Sequence, residues 1–490
     1  MRCLALASTL CAEGVRCIFI CREHPGNLID LISREGHEVL RLPAPDLTLT
    51  TAQDKWLGAD WHTDAEQTLT ALRGAHHDCL VVDHYALDAR WEQELRQGCG
   101  RLMVIDDLAD RPHDCDLLLD QNLVANLYKR YEALLPESGA SLLGPGYALL
   151  QPAYAPLHEQ ARPRSGYPQR VFVFFGGVDL DNLTQATVTA LLQLDLSNIQ
   201  VDVVVAEKNP HRETLERLVR DVPNIHLHGP QPTLAPMLFA ADLAIGAGGA
   251  TNWERLCLGL PTLIITLADN QRAIAAELHK RGLVRWLGDK DNIRANYLAT
   301  QISAVLQQPL DAWSASCLQV VDGLGSRRVC SALLADEKTV MIARLARQAD
   351  EAQLLEWAND PLTRRNSFSS AQISPESHHL WFSRRLSNAD CQIYLVETDA
   401  GLAAGQVRFE RSQGAWEVHF TLSPVLRGRS LGTPLLKTAL DVFMQVQPDA
   451  VVFGQVKPAN RASCRMFEAL GFSLMSAADA DVAIYQSKQF

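Results

Sequence analysis

The sequence has twelve cysteines but no C-x-x-C pair among them, which removes the usual zinc and redox motifs. The cysteines stand singly, mostly in apolar stretches, as small core residues do in a reducing compartment. No bound metal is expected. Long apolar runs are also missing: none approaches the roughly 18 residues that span a bilayer. Met1-Arg2-Cys3 opens into an amphipathic segment without the layout of a secretory leader, so the expectation is a cytoplasmic chain with no membrane partner. There is no excess of basic charge. A net charge of -12 argues against nucleic acid as a partner, although backbone amides hold small anions whatever the global charge. Short-period repeats and low-complexity segments are absent too.

At 490 residues, 47% hydrophobic and 21% charged, the chain is a globular protein too long for one core, and two or three domains are expected. Its first part alternates short β-branched runs with helical patterns. The expected strands are Val15–Cys21, Glu38–Leu42, Cys79–Asp83, Leu102–Asp106 and Leu117–Leu119. The pattern restarts after Pro152 with Arg170–Phe175, Val201–Val205, Ile225–Leu227, Leu243–Ile245 and Thr262–Ile265. Near-continuous apolar strands separated by helices indicate parallel sheets covered on both faces. The expected architecture is therefore α/β, with one Rossmann-like half over 1–150 and a second over 151–325. Ligands of such sheets sit beyond the carboxyl ends of the strands. A different, α+β pattern follows over 339–490: a short strand, a helix containing Ala352–Trp357, three strands, and a helix after Arg427.

One element of the first half is out of place. Met1 to Glu13 reads as a helix, and the first strand comes only at Val15. A Rossmann half ordinarily opens with a strand central to its sheet. Without it, neighbouring ladders would be buried unpaired, so the expectation is that the given start lies downstream of the natural one.

Polar residues cluster at the strand ends. Asp83-His84-Tyr85 follows one apolar strand, Asp106-Asp107 another, and Gly176-Gly177-Val178-Asp179 opens the second half. Taken alone, each fits a capped turn. The stretch from Ala241 to Glu254 is more informative: a strand, a glycine-rich loop through Gly248 and Gly249, and a helix start carrying Glu254. Such loop amides cradle a phosphate and such a carboxylate accepts ribose hydroxyls, whereas Glu254 by itself could simply complement the helix dipole. Asp269-Asn270-Gln271 follows the next strand.

These residues, with Cys21-Arg22…Pro25-Gly26-Asn27 and Gly146-Tyr147-Ala148-Leu149-Leu150, resemble the hydrolases that release UDP from UDP-2,4-diacetamido-2,4,6-trideoxy-β-L-altropyranose in pseudaminic acid biosynthesis. That family is GT-B-like, and a GT-B glycosyltransferase is the alternative; the Asp-His-Tyr run favours the hydrolase. The resemblance implies that Gly248, Gly249 and Glu254 hold the UDP portion of a UDP-sugar, and that Tyr85 and Asn270 line the sugar and the attacking water. Family members start with a strand, a Gly-x-Gly-His loop and an Arg-containing helix. Here the helix comes first, with Arg2 at the family's Arg and nothing at the His that the resemblance makes the catalytic base. A positioned base contributes on the order of 10²–10⁴ in rate, so a weak hydrolase is expected from this sequence, with His24 and His84 as conceivable substitutes.

From Met341 the chain resembles the GNAT acetyltransferases. Arg427-Gly428-Arg429-Ser430-Leu431-Gly432-Thr433 follows a strand and opens a helix, and Asn460-Arg461-Ala462-Ser463 with Phe467-Glu468-Ala469-Leu470-Gly471-Phe472 matches the family's second coenzyme element. The resemblance implies that Arg427 through Thr433, with Asn460, bind acetyl-CoA as co-substrate. Ser430 replaces the family's first loop glycine, and Phe467 stands where many members carry a tyrosine acid; Tyr485 or a water could serve instead. Trp357-Ala358-Asn359-Asp360-Pro361 and Ile373-Ser374…His378…Trp381 look like the subgroup that acetylates 4-amino nucleotide sugars. Glu417 and His378 are candidate bases for the amine. A cross-strand charge and a helix-face histidine explain them equally well. The combined expectation is a bifunctional enzyme, against a glycosyltransferase fusion or a first part that only binds the nucleotide sugar. Oligomeric state is not legible.

Overall fold

The computed structural model describes residues 1–207, 209–479 and 482–487. It divides into two compact units, Met1–Leu135 with Leu142–Ser326, and Pro136–Ser141 with Arg327–Phe490. The first contains the α/β sheets and the second the α+β sheet.

In the first unit, β1 (Ile18–Arg22) and β2 (Glu38–Leu42) form a parallel two-stranded ladder. A separate sheet has the order β3 (His77–Val82), β4 (Cys99–Ile105), β5 (Leu117–Asp120) and β6 (Ala140–Leu143). β5 is wholly buried, whereas β1 and β3 are mostly half-buried and each pairs with a neighbour on one side only. The opening helix, Arg2–Ala12, turns Ala5, Leu6, Ala7 and Leu10 into the core. The next sheet has the order β12-β11-β10-β7-β8-β9, its members being β7 (Arg170–Phe174), β8 (Gln200–Val204), β9 (Ile225–His228), β10 (Leu243–Ala247), β11 (Thr262–Thr266) and β12 (Arg285–Asp289). All its pairings are parallel. Chain order reverses between β7 and β10, the switch point at which open α/β sheets bind ligands.

β12 escapes a reading by apolar runs for a physical reason. An edge strand such as β12, Arg-Trp-Leu-Gly-Asp, is only partly buried and lacks the continuous hydrophobicity of central parallel strands. One buried cluster runs from Trp91, Leu102 and Leu118 through Leu150 and Tyr154 to Phe172, Trp253 and Ile264.

The second unit is built on a seven-stranded sheet of order β13-β14-β15-β16-β17-β19-β18. Its strands are β13 (Met341–Leu345), β14 (Cys391–Thr398), β15 (Ala403–Ser412), β16 (Ala415–Leu422), β17 (Val452–Val456), β18 (Ser473–Asp479) and β19 (Val482–Gln486). All pairings are antiparallel except β16 with β17. The amphipathic helix Gly432–Val446 buries Leu435, Leu436, Ala439, Leu440 and Phe443, and Phe443 stacks on Phe409 at 4.0 Å between ring centroids.

Candidate functional sites

At the switch point, β7 is followed after Phe175 by Gly176-Gly177, and β10 runs into Gly248-Gly249. Gly246 pairs with Phe174, and a Cβ on it would lie 2.3 Å from the Phe174 oxygen. The two strands approach so closely here that only glycine fits. Beyond them the crowding eases to ordinary contact: a Cβ on buried Gly248 would have its nearest neighbour at 3.4 Å, and one on Gly249 at 3.6 Å. Both nearest-neighbour sets include the Gln271 side chain, whose Oε1 also accepts from the Leu267 amide at 2.9 Å. Asn270 is exposed at the start of the helix Asn270–Lys280. The residue that touches the glycine loop is thus Gln271; it stands one position along in the same Asp-Asn-Gln run. Glu254 reaches the Tyr154 hydroxyl, and burial pushes its carboxyl above the usual range. Its Oε2 is buried with no hydrogen-bond partner among the described residues, which suits an acceptor waiting for a ligand hydroxyl.

At the end of β3, Arg2 forks onto Asp83 (2.6 Å) and reaches Asp107 (3.5 Å), while the Cys3 thiol donates to Asp83 at 3.0 Å. Tyr85 hydrogen-bonds with Asp107, and burial pushes its hydroxyl well above the usual tyrosine range. Trp56, half exposed, lies over His84 and Tyr85 at 5.4 and 5.5 Å. Asp107 belongs to the strand-end Asp106-Asp107 pair legible in the sequence, whereas Trp56, a tryptophan in a polar stretch, is added by the structure. His84 accepts from the Ala86 amide through Nδ1, and burial lowers its pKa. The His24 ring pairs with the Leu57 carbonyl at 3.1 Å. A cavity of about 400 Å³ is lined by Val124, Ala125, Arg130 and the Ala273, Ala276 and Lys280 face of the helix that begins at Asn270.

In the second unit, β16 and β17 pair only at Trp416↔Val452 and Glu417↔Phe453, although both strands continue further. Parallel strands that part leave backbone donors and acceptors facing a wedge, available to a ligand amide. The loop Arg427–Leu431 stands after β16, ahead of the helix Gly432–Val446. Gly428 and Ser430 both take positive φ (74° and 60°), so Ser430 adopts a conformation that glycine would hold without strain. A Cβ on Gly432 would lie 2.6 Å from Met466 Sδ, so any larger residue there displaces the end of that side chain. The arginines fasten the loop. Arg427 pairs with Asp360 at 2.7 Å and donates to Thr363 at 3.0 Å, while Arg429 donates to the Ala332 and Ala335 carbonyls. Asn460 caps the helix Arg461–Ala469 through the Ser463 amide.

Residues 341–473 match the family model described as "Acetyltransferase (GNAT) domain". The chain carries a GNAT domain. Two curated relatives cover its amino-terminal part. UDP-2,4-diacetamido-2,4,6-trideoxy-beta-L-altropyranose hydrolase of Campylobacter jejuni is 24% identical over 217 residues, 44% of this chain and 76% of that one. Spore coat polysaccharide biosynthesis protein SpsG of Bacillus subtilis is 28% identical over 193 residues, 39% of this chain and 57% of that one. The amino-terminal part is homologous to these proteins. The crystal structure of Acinetobacter baumannii MurG superimposes with a TM-score of 0.46 at 16% identity, covering 68% of this chain and 94% of that one.

Within the GNAT domain, Phe467 stacks on Tyr485 at 5.3 Å, and the Tyr485 hydroxyl donates to Glu468 at 3.1 Å. Burial pushes Tyr485 up to about 12, so it keeps its proton at neutral pH. His378 is buried against Trp381 and Phe382, and that burial lowers its pKa. Glu417 sits 3.7 Å from His419, its carboxyl raised by burial. Arg427→Ala is expected to raise KM for acetyl-CoA about tenfold, the usual worth of a hydrogen bond to a charged group, with kcat little changed. Initial rates against acetyl-CoA concentration check this, and an unchanged KM refutes it.

Glu356, one turn before Asp360, has its carboxyl pushed up to about 7, first by burial and then by the Asp360 charge. A folded pKa above the unfolded value of 4.5 gives stability that is complete below that value and lost as pH rises through about 7. Glu356→Gln should therefore flatten the decline in stability between pH 5 and 8. Thermal unfolding across that range checks it, and an unchanged slope in the variant would count against it.

Proposed function

We propose that the chain is a two-step nucleotide-sugar enzyme. Its GNAT domain moves an acetyl group from acetyl-CoA to the 4-amine of a UDP-linked amino sugar, and its amino-terminal part then releases UDP from the diacetamido sugar. The observation that carries the reading is the joining, in one chain, of a GNAT domain at 341–473 to a segment homologous to a hydrolase named for a UDP-diacetamido sugar. In the first step the amine attacks the thioester carbonyl, the C–S bond breaks, and the thiolate leaves with a proton for which Tyr485 is the proposed source. Glu417 and His378 are the proposed acceptors of the amine proton. The loop Arg427–Thr433 would hold the coenzyme pyrophosphate through its backbone amides, with Asn460 at the second element. In the second step water adds at the anomeric carbon as the bond to the diphosphate breaks. Gly248, Gly249 and Glu254 would hold UDP, and Tyr85 and Asn270 would line the sugar.

A second reading, binding of the nucleotide sugar without hydrolysis, draws on the end of β3, where Asp83 is tied up by Arg2 and Cys3 and Tyr85 by Asp107. One assay separates the two. The purified chain is given acetyl-CoA and a UDP-4-amino-4,6-dideoxy sugar, with CoA thiol and free UDP followed in parallel. Release of both supports the two-step enzyme. Thiol without UDP leaves the binding reading, and no thiol release refutes the acetyltransferase.

A further inference from the structure

Arg255 stands one residue beyond Glu254, in the helix Thr251–Cys257, and is only 3% exposed. Its hydrogen bonds go to neutral oxygens: Nη2 donates to the Ala247 carbonyl and to Asn252 Oδ1, both at 2.6 Å, and Nε to the Thr251 carbonyl at 3.2 Å. No ion pair engages it among the described residues. Its Nη1 lies 2.6 Å from where a Gly246 Cβ would be, so the guanidinium is pressed against the backbone immediately before Gly248-Gly249. The adjacent Glu254 carboxylate acts on it through space, but a buried cation whose hydrogen bonds all end on neutral oxygens is costly. Burial pushes Arg255 down to about 10, which leaves it charged at neutral pH. In the poorly screening interior its charge acts through the Ala247 backbone it holds, immediately before Gly248-Gly249.

We infer that Arg255 is the built-in counter-charge for the diphosphate of a nucleotide bound at the Gly248-Gly249 loop, a positioning residue that acts through the loop backbone without touching the ligand. This rests on the nucleotide-sugar reading above. It makes a distinction that a structural role does not: the charge favours phosphate and is indifferent to the nucleoside.

The test measures the affinities of UDP and uridine, by calorimetry, for the full chain and for Arg255→Gln and Arg255→Lys, with circular dichroism confirming the fold. Arg255→Gln should weaken UDP about tenfold or more while uridine changes less than twofold. Arg255→Lys, which keeps the charge but not the planar fork, should retain most of the UDP preference. Equal losses for both ligands, or no loss, would overturn the inference. If Arg255→Gln does not fold, Arg255→Lys decides: a folded lysine variant without preference for UDP over uridine also overturns it. Failure of the unaltered chain to bind UDP would instead refute the nucleotide-sugar reading on which the inference stands.

Discussion

Replacing Asp64 by alanine is expected to lower the stability of the first unit by about 3–5 kcal/mol, because it strands a buried guanidinium. Arg22 closes β1 and reaches Asp64 at 2.6 Å, with side-chain exposures of 5% and 6%. The same carboxylate accepts from Trp91 Nε1 at 2.9 Å, and Arg22 donates a further bond to the Pro43 carbonyl. The alanine therefore leaves two donors, Arg22 Nη2 and Trp91 Nε1, without their acceptor in a site that water does not reach. Arg22 belongs to the Cys21-Arg22…Asn27 run on which the family resemblance partly rests, and here its role is to brace the two-stranded ladder. Removing both charges together, as Arg22→Met with Asp64→Leu, should recover most of the loss, since no charge is then stranded and only the Trp91 N–H lacks its acceptor. Urea unfolding with linear extrapolation measures each variant. A loss below about 1 kcal/mol for Asp64→Ala would mean that the pair is solvated and contributes as a surface bridge does.

The second large effect is expected at Gly246. Alanine there would put a methyl group 2.3 Å from the Phe174 carbonyl oxygen and 2.6 Å from Arg255 Nη1. Neither neighbour gives way easily: one is backbone in the paired strand β7, the other is held by three hydrogen bonds. β7 and β10 must part at the switch point, at a cost of about 1–3 kcal/mol. That displacement opens the crevice where both glycine loops end, so affinity for UDP should fall at least tenfold along with stability. Gly249→Ala is the control. Its new methyl would meet nothing nearer than Gln271 Nε2 at 3.6 Å, an ordinary contact, so stability should change by less than about 0.5 kcal/mol. Any loss of UDP affinity in that variant then reports close approach of ligand to backbone. Equal stabilities for the two variants would refute the steric argument.

The amino-acid sequence alone determined the local features. Near-continuous apolar β-branched runs such as Val-Phe-Val-Phe and Leu-Ile-Ile marked buried parallel strands, because in such strands both faces are covered and every position is apolar. The change of pattern near residue 339 marked an α+β region, and the two glycine-rich loops marked where backbone had to stay bare. What depends on partners distant in the chain was not legible. Which strands lie side by side, and so where the switch point falls, is settled by sheet assembly: β10 pairs with β7, with β8 and β9 on the far side. Arg427 reads as a ligand residue in its motif, yet its guanidinium is engaged by Asp360. Arg255 reads as an unremarked helix residue, yet it is buried, with its hydrogen bonds on neutral oxygens at the backbone just before the glycine loop. Gln271, and not Asn270, meets that loop. Periodicity and turn chemistry act over a few residues, so sequence carries them directly. Ion pairs, burial of charge and contact across strands are set by packing between segments far apart in the chain, and only the tertiary structure decides them.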